Sequence, residues 1–167
     1  MAVATENPLK VRFARYEQRD SEAVTSVRRS VGWSVNTVPD QLRRVAEGKR
    51  ALLVAEYYGY AVGTVTLEWI GTDRHVADGR RVAHISNLVV RPAHQRRGIG
   101  RALVGAAEQA ARSRGYTIIT IGVDQPNHHA RRLYERWGYQ WLKDIRQPWG
   151  IVHVLARRLP DLVDVSL

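Results

Sequence analysis

The chain is 167 residues long, 44% hydrophobic and 25% charged, ordinary globular values that suit one domain with a buried core. It has no cysteine and no apolar run long enough to span a membrane, which excludes disulfides, thiolate metal ligands, a thiol nucleophile and a transmembrane helix. The net charge of +10, from 26 basic and 16 acidic residues, favours an anionic partner, either nucleic acid or a polyanionic cofactor. The charge is spread out, without the block of like charges that marks a nucleic-acid-binding tail. Met1 to Lys10 lacks the basic-then-apolar layout of an export signal, so a cytoplasmic location is expected. Residues 1–8 and 161–167 read as tails around a single domain, 9–160.

Leu9 to Ala14 alternates apolar and polar residues and predicts a first strand. Asp20 or Ser21 is expected to cap a helix running to about Ser30, and Pro39-Asp40 to open a second that Gly48 stops. Ala51–Tyr58 and Tyr60–Ile70 predict a hairpin around Gly59, and Gly71–Arg81, with Asp78-Gly79, a loop. Val82 to Arg91 predicts a strand ended by Pro92; Gly98–Arg114 predicts a helix with a buried stripe of Ile99, Leu103, Ala106 and Ala110. Tyr116 to Val123 is apolar on both faces, as in a central strand. Asn127 is positioned to cap a helix bearing Ala130, Leu133, Tyr134 and Trp137 on one side. Tyr139–Arg146 and Ile151–Arg158 read as a final antiparallel pair. The strand, helix and strand across 82–123 imply one parallel crossover inside a mostly antiparallel sheet.

The junction His94-Gln95-Arg96-Arg97-Gly98-Ile99-Gly100-Arg101 follows a strand and opens a helix. Unpaired N–H groups and the positive end of the helix dipole favour a phosphate there, and the glycines permit close approach of backbone. A Walker loop would end in Gly-Lys-Ser/Thr, but Gly100 is followed by Arg101-Ala102; a dinucleotide fingerprint would need a small residue where Leu103 stands. Gln95-Arg96-Arg97-Gly98-Ile99-Gly100 instead matches the Arg/Gln-x-x-Gly-x-Gly/Ala signature of the GNAT N-acetyltransferase superfamily. Leu88 to Pro92 and the stretch from Asn127 to Tyr139 match further patterns of it in the same order. Over residues 82–139 the chain resembles that family, and beyond them the element order agrees. The resemblance implies an α/β fold of mixed α+β kind: a central mixed, mostly antiparallel sheet of about seven strands flanked by four helices.

It also implies an acetyl-CoA-dependent N-acetyltransferase in which a primary amine of a small molecule or protein attacks the thioester directly. The main chain of Leu88, Val89 and Val90 would pair with the pantetheine arm like an added strand, satisfying groups that lack a neighbour. The loop Gln95, Arg96, Arg97, Gly98, Ile99, Gly100 and Arg101 would hold the pyrophosphate, with Asn127 beside the cofactor. Tyr134 would protonate the departing thiolate, a transfer that suits a phenol of pKa near ~10 and a thiol of about 8.5. Many relatives carry a basic glutamate on the fourth strand, whereas His84 to Leu88 holds no carboxylate. Glu68, His84 and Asp124 are therefore the candidates for general base. The acceptor pocket would be built from Val31–Pro39, Gly71–Arg81 and the last hairpin, with Trp33, Tyr57, Tyr58, Trp69 and Trp149 as candidate aromatic walls. No cluster of carboxylates announces a polycationic acceptor. No metal is expected: adjacent His128 and His129 point apart on a helix and no other ligand has a suitable spacing. Other readings are a non-catalytic acyl-CoA-binding module and a nucleic-acid-binding protein, the latter resting only on charge; neither specific nucleic acid nor membrane is an expected partner. A homodimer through the final hairpin is left open.

Overall fold

The structure is a computed structural model that describes residues 6–161, so most of the two expected tails lies outside the described residues. The element order is β1 (Leu9–Phe13), α1 (Gln18–Arg29), α2 (Val38–Ala46), β2 (Arg50–Tyr57), β3 (Tyr60–Glu68), β4 (Val82–Val90), α3 (Ile99–Ser113), β5 (Ile118–Asp124), α4 (His128–Arg136), β6 (Gln140–Gln147) and β7 (Gly150–Arg158). The strands form a seven-stranded mixed sheet in the order β1-β2-β3-β4-β5-β7-β6. This is the expected α/β class, with the parallel pairing where the sequence put it, between β4 and β5. Among the described residues no helix is long and apolar enough to cross a membrane.

The residues group into two compact units, Met1–Thr66 with Asn87–Ala107, and Leu67–Ser86 with Glu108–Leu167. In the first unit β1 and β2 pair antiparallel, Leu9 opposite Tyr57 and Phe13 opposite Leu53. The two-residue link from β2 to β3 is Tyr58-Gly59, both left-handed (φ 49° and 78°), a conformation whose twist matches a hairpin. Val24 and Val27 of α1, Val38 and Leu42 of α2, Leu52, Val54, Ala61 and Val89 form the core of this unit. Each valine or leucine among them contributes about 1.5–3 kcal/mol by leaving water. Helix α1 starts after Glu17, not at Asp20 or Ser21. Asp20 lies in its first turn, fully buried, and its carboxylate accepts two hydrogen bonds from Arg12 (2.7 and 3.0 Å) and one from the Arg15 N–H (2.7 Å). Burial opposes its ionisation, but these donors outweigh that and hold its pKa below the usual carboxylate range.

In the second unit β5 runs antiparallel to β7, from Ile118 opposite Arg158 to Asp124 opposite Val152. Strand β6 pairs with β7 and is bulged between Trp141 and Lys143. Glu108, buried, accepts from Tyr139 Oη (2.9 Å) and Arg157 Nη1 (3.0 Å). Strand β5 begins at Ile118 rather than Tyr116, whose ring packs on buried Trp69 (centroids 5.2 Å apart) beneath the Arg114 guanidinium (4.1 Å). The buried stripe of α3 is Ile99, Leu103, Val104, Ala107 and Ala111; the expected Ala106 and Ala110 are half-exposed. The stripe follows the row of residues four apart, which slants around a helix of 3.6 residues per turn.

Candidate functional site

Strand β4 changes character halfway along. Its parallel register with β5 runs from Val82↔Ile118 to Ile85↔Ile121, and Asn87, two residues on, is left-handed (φ 53°). Leu88, Val89 and Val90 continue beyond that kink without a β5 partner among the described residues. Val89 is buried, with Leu88 and Val90 half-buried on the other face. A Cβ at Gly63 would stand 3.0 Å from the Val89 carbonyl oxygen and 2.9 Å from Leu103 Cδ1, so a glycine there lets β3 lie close beneath this stretch. Arg91 anchors the strand's end: its side chain donates to the Ala61 carbonyl (2.7 Å) and Ser26 Oγ (2.6 Å) and lies over the Tyr60 ring.

After a 3-10 turn at Pro92–His94, the chain passes through Arg96 (φ 62°) and Gly98 (φ 79°), both left-handed, and enters α3. The first bond closing the helix is from the Ala102 N–H to the Gly98 carbonyl (3.0 Å). The N–H groups from Arg97 to Gly100 therefore precede any intrahelical acceptor. The first turn of α3 carries no acidic residue; Arg96 and Arg97 are exposed beside it. A Cβ at Gly98 would meet nothing within 4 Å. This is an open cradle of backbone donors with a positive helix end, suited to phosphate oxygens. The Gln95 side chain turns back instead, donating to the Val90 carbonyl (3.0 Å) and stapling the loop to its strand.

The second unit carries Asn127, Tyr134 and His84. Asn127 caps α4, its Oδ1 accepting from the Ala130 N–H (3.1 Å). Tyr134 is 7% exposed, its ring against Trp137, and burial pushes its pKa up to about 12, so the phenol keeps its proton. Thr120 Oγ1 lies 2.8 Å from His84 Nδ1 and donates its proton to the Val76 carbonyl (2.7 Å). Nδ1 must then be the donor to Thr120, which leaves Nε2 with the lone pair. A Cβ at Gly122 would lie 3.7 Å from that Nε2; the absence of one keeps the space beside it clear. Burial lowers the His84 pKa to about 4, so the ring is neutral at physiological pH.

The remaining candidates divide. Asp124 is exposed and accepts from Trp149 Nε1 (3.1 Å), while its carbonyl accepts the Asn127 N–H, which are the bonds of a turn former. Glu68 is half-buried at the end of β3. Trp33 is exposed, its N–H bonded to the Arg28 carbonyl (3.1 Å). Trp69 belongs to the core with Tyr116, whereas Tyr58 and Trp149 are exposed. The sequence reading missed two residues that shape the site, Asn87 and Thr120. Only Asn87 carried a local signal, since asparagine tolerates the left-handed region better than most residues. Among the described residues no group of His, Cys, Asp and Glu is placed to hold a metal.

Comparison with known proteins agrees with this geometry. Residues 16–139 match the Acetyltransferase (GNAT) family. An uncharacterised N-acetyltransferase of Methanocaldococcus jannaschii is 34% identical over 98 residues, covering 58% of this chain and 41% of that protein. The chloroplastic GCN5-related N-acetyltransferase 4 of Arabidopsis thaliana is 30% identical over 110 residues, covering 62% and 36%. The match thus spans less than half the length of either curated relative. A structure from Salmonella typhimurium assigned as an acetyltransferase, solved with its cofactor acetyl-CoA, superposes with a TM-score of 0.71 at 23% identity, over 94% of this chain and 97% of that one. An aminoglycoside 6'-N-acetyltransferase complexed with coenzyme A gives 0.73 at 16% identity, over 93% and 99%. The family match covers most of the chain and includes the kinked strand and the donor-lined loop, so the chain belongs to the GNAT acetyltransferase family.

Proposed function

We propose that the protein is an acetyl-CoA-dependent N-acetyltransferase that acts by direct attack of a primary amine. The observation that carries this is the Arg96–Gly100 cradle, left-handed at Arg96 and Gly98 and opening a helix with no acid in its first turn. The N–H groups of Arg97 to Gly100 bind the pyrophosphate, and Arg96 and Arg101 add charge; Leu88 to Val90, without a β5 partner, offer their main chain to the pantetheine amides. The donor supplies a thioester; these main-chain N–H groups polarise its carbonyl. The amine nitrogen's lone pair forms the new C–N bond, the C–S bond breaks and its electron pair goes to sulfur. Tyr134, kept protonated by burial, gives that sulfur its proton. The amine's surplus proton goes to His84 Nε2, whose lone pair is fixed by the Thr120 bond. A nitrogen becomes far more acidic as it attacks a carbonyl, so a neutral imidazole of low pKa suffices to accept from it.

The test is the melting temperature with and without acetyl-CoA. A ligand at ~100 times its dissociation constant adds about 2.7 kcal/mol, or roughly 5–10 °C for a chain of this size. A shift of that order, exceeding the shift with adenosine nucleotides, is expected; its absence removes the coenzyme site and the acetyltransferase reading with it.

A further inference from the structure

Tyrosines aside, four ionisable side chains are buried among the described residues: Asp20, Arg28, Glu108 and His153. Three are matched. Asp20 is held by Arg12, Glu108 by Arg157, and His153 Nδ1 lies 2.6 Å from Asp144 Oδ1. Arg28, in the last turn of α1 and 3% exposed, is the exception. Its Nε and Nη2 are buried with no acceptor among the described residues. The charge that acts on it is that of Arg50, of the same sign; burial first and Arg50 second both work against its charged form. A guanidinium does not shed its proton in a protein, so it stands as a buried cation whose surroundings ask for an anion.

Its main chain holds the segment that follows: the Arg28 carbonyl accepts the N–H groups of Val31 and Trp33 (3.2 and 3.1 Å), which ties the start of the 31–37 segment to the end of α1. That segment is where the family resemblance puts the amine acceptor. We infer that Arg28 binds a negatively charged group of the acceptor, a carboxylate or a phosphate, and that the acceptor is therefore an anionic amine rather than a polycation. This rests on the acetyltransferase reading for the word acceptor, but not for the anion site. A planar fork of N–H donors suits either oxyanion.

The experiment uses the whole chain and its Arg28→Met variant, which keeps the volume and removes the charge. Without ligand, the variant is expected to melt above the wild type, because it relieves an uncompensated buried charge; a lower melting temperature would mean a structural arginine and would overturn the inference. With coenzyme A saturating the phosphate loop, succinate or inorganic phosphate is expected to raise the wild-type melting temperature beyond chloride of equal ionic strength, and to leave the variant unmoved. Equal responses, or none in the wild type, overturn it. With acetyl-CoA, β-alanine or 2-aminoethyl phosphate is expected to exceed propylamine in kcat/KM by about tenfold or more, the worth of one charged hydrogen bond, and Arg28→Met to erase that difference. An aminoglycoside acetylated equally well by both proteins would also overturn it. Failure of acetyl-CoA or coenzyme A itself to stabilise the wild type would overturn the acetyltransferase reading instead, leaving the ligand-free comparison to decide on Arg28.

Discussion

Tyr134 and His84 are each held in one protonation state by burial, in opposite chemical senses: the phenol stays protonated and the imidazole stays neutral. Tyr134→Phe removes the proton donor and little volume. It is expected to lower turnover by about 10²–10⁴-fold while the acetyl-CoA-induced melting shift is kept; unchanged turnover takes Tyr134 out of the mechanism. His84 makes a prediction about stability. Its folded pKa, about 4, lies below the ordinary 6.5, so between those values the unfolded chain binds a proton that the folded chain refuses. Stability is therefore full above pH 6.5 and falls as the pH drops toward 4, by about 3 kcal/mol from this residue. Urea unfolding at pH 7 and pH 4 is expected to show that loss in the wild type and a correspondingly smaller one in His84→Gln. Asp20 does not confuse the comparison, because its pKa is depressed from 3.8. Its contribution is present above 3.8 and is lost only below that window.

At the scale of elements, the hairpin, the Asn127 cap and the crossover were legible because each is written locally. Gly59 follows a strand, Asn127 precedes a helical pattern, and an apolar strand leads into a glycine-rich helix start. What was not legible depends on partners distant in sequence. Nothing near Arg28 tells that it lacks an acid, and Thr120 is 36 residues from the His84 ring whose tautomer it sets. The C-terminal half of the α3 stripe lies one residue, about 100° around the helix, from where the sequence suggests, because Ala106 and Ala110 are as apolar as Ala107 and Ala111; only packing distinguishes them. Gly63 is another such residue. Gly63→Ala has no conformational obstacle, but its Cβ meets the backbone oxygen of Val89 as well as a movable leucine methyl. Overpacking of this kind costs about 1–3 kcal/mol. Urea unfolding should show that loss, and the acetyl-CoA melting shift should shrink with it, since Val89 belongs to the strand offered to the ligand.

For the molecule as a whole, the charge of +10 implies attraction to any polyanion. Binding of a fluorescent DNA duplex is expected to be weak, indifferent to sequence and gone at physiological salt; tight, sequence-selective binding would require a second function. The fold class was readable from the order of elements and one motif, but the grouping of the chain into two units was not. Those units are joined inside regular elements: the divisions fall at 66/67 in β3, 86/87 in β4 and 107/108 in α3. The core of the first unit includes Val89 from its second stretch alongside Ala61 and Leu52 from its first. During synthesis, a nascent chain that has emerged only as far as Thr66 has every residue of that core but one and none of α3. The ribosome must then deliver the 67–86 stretch of the other unit before the first can close, so this protein is expected to remain unfinished on the ribosome until α3 has emerged.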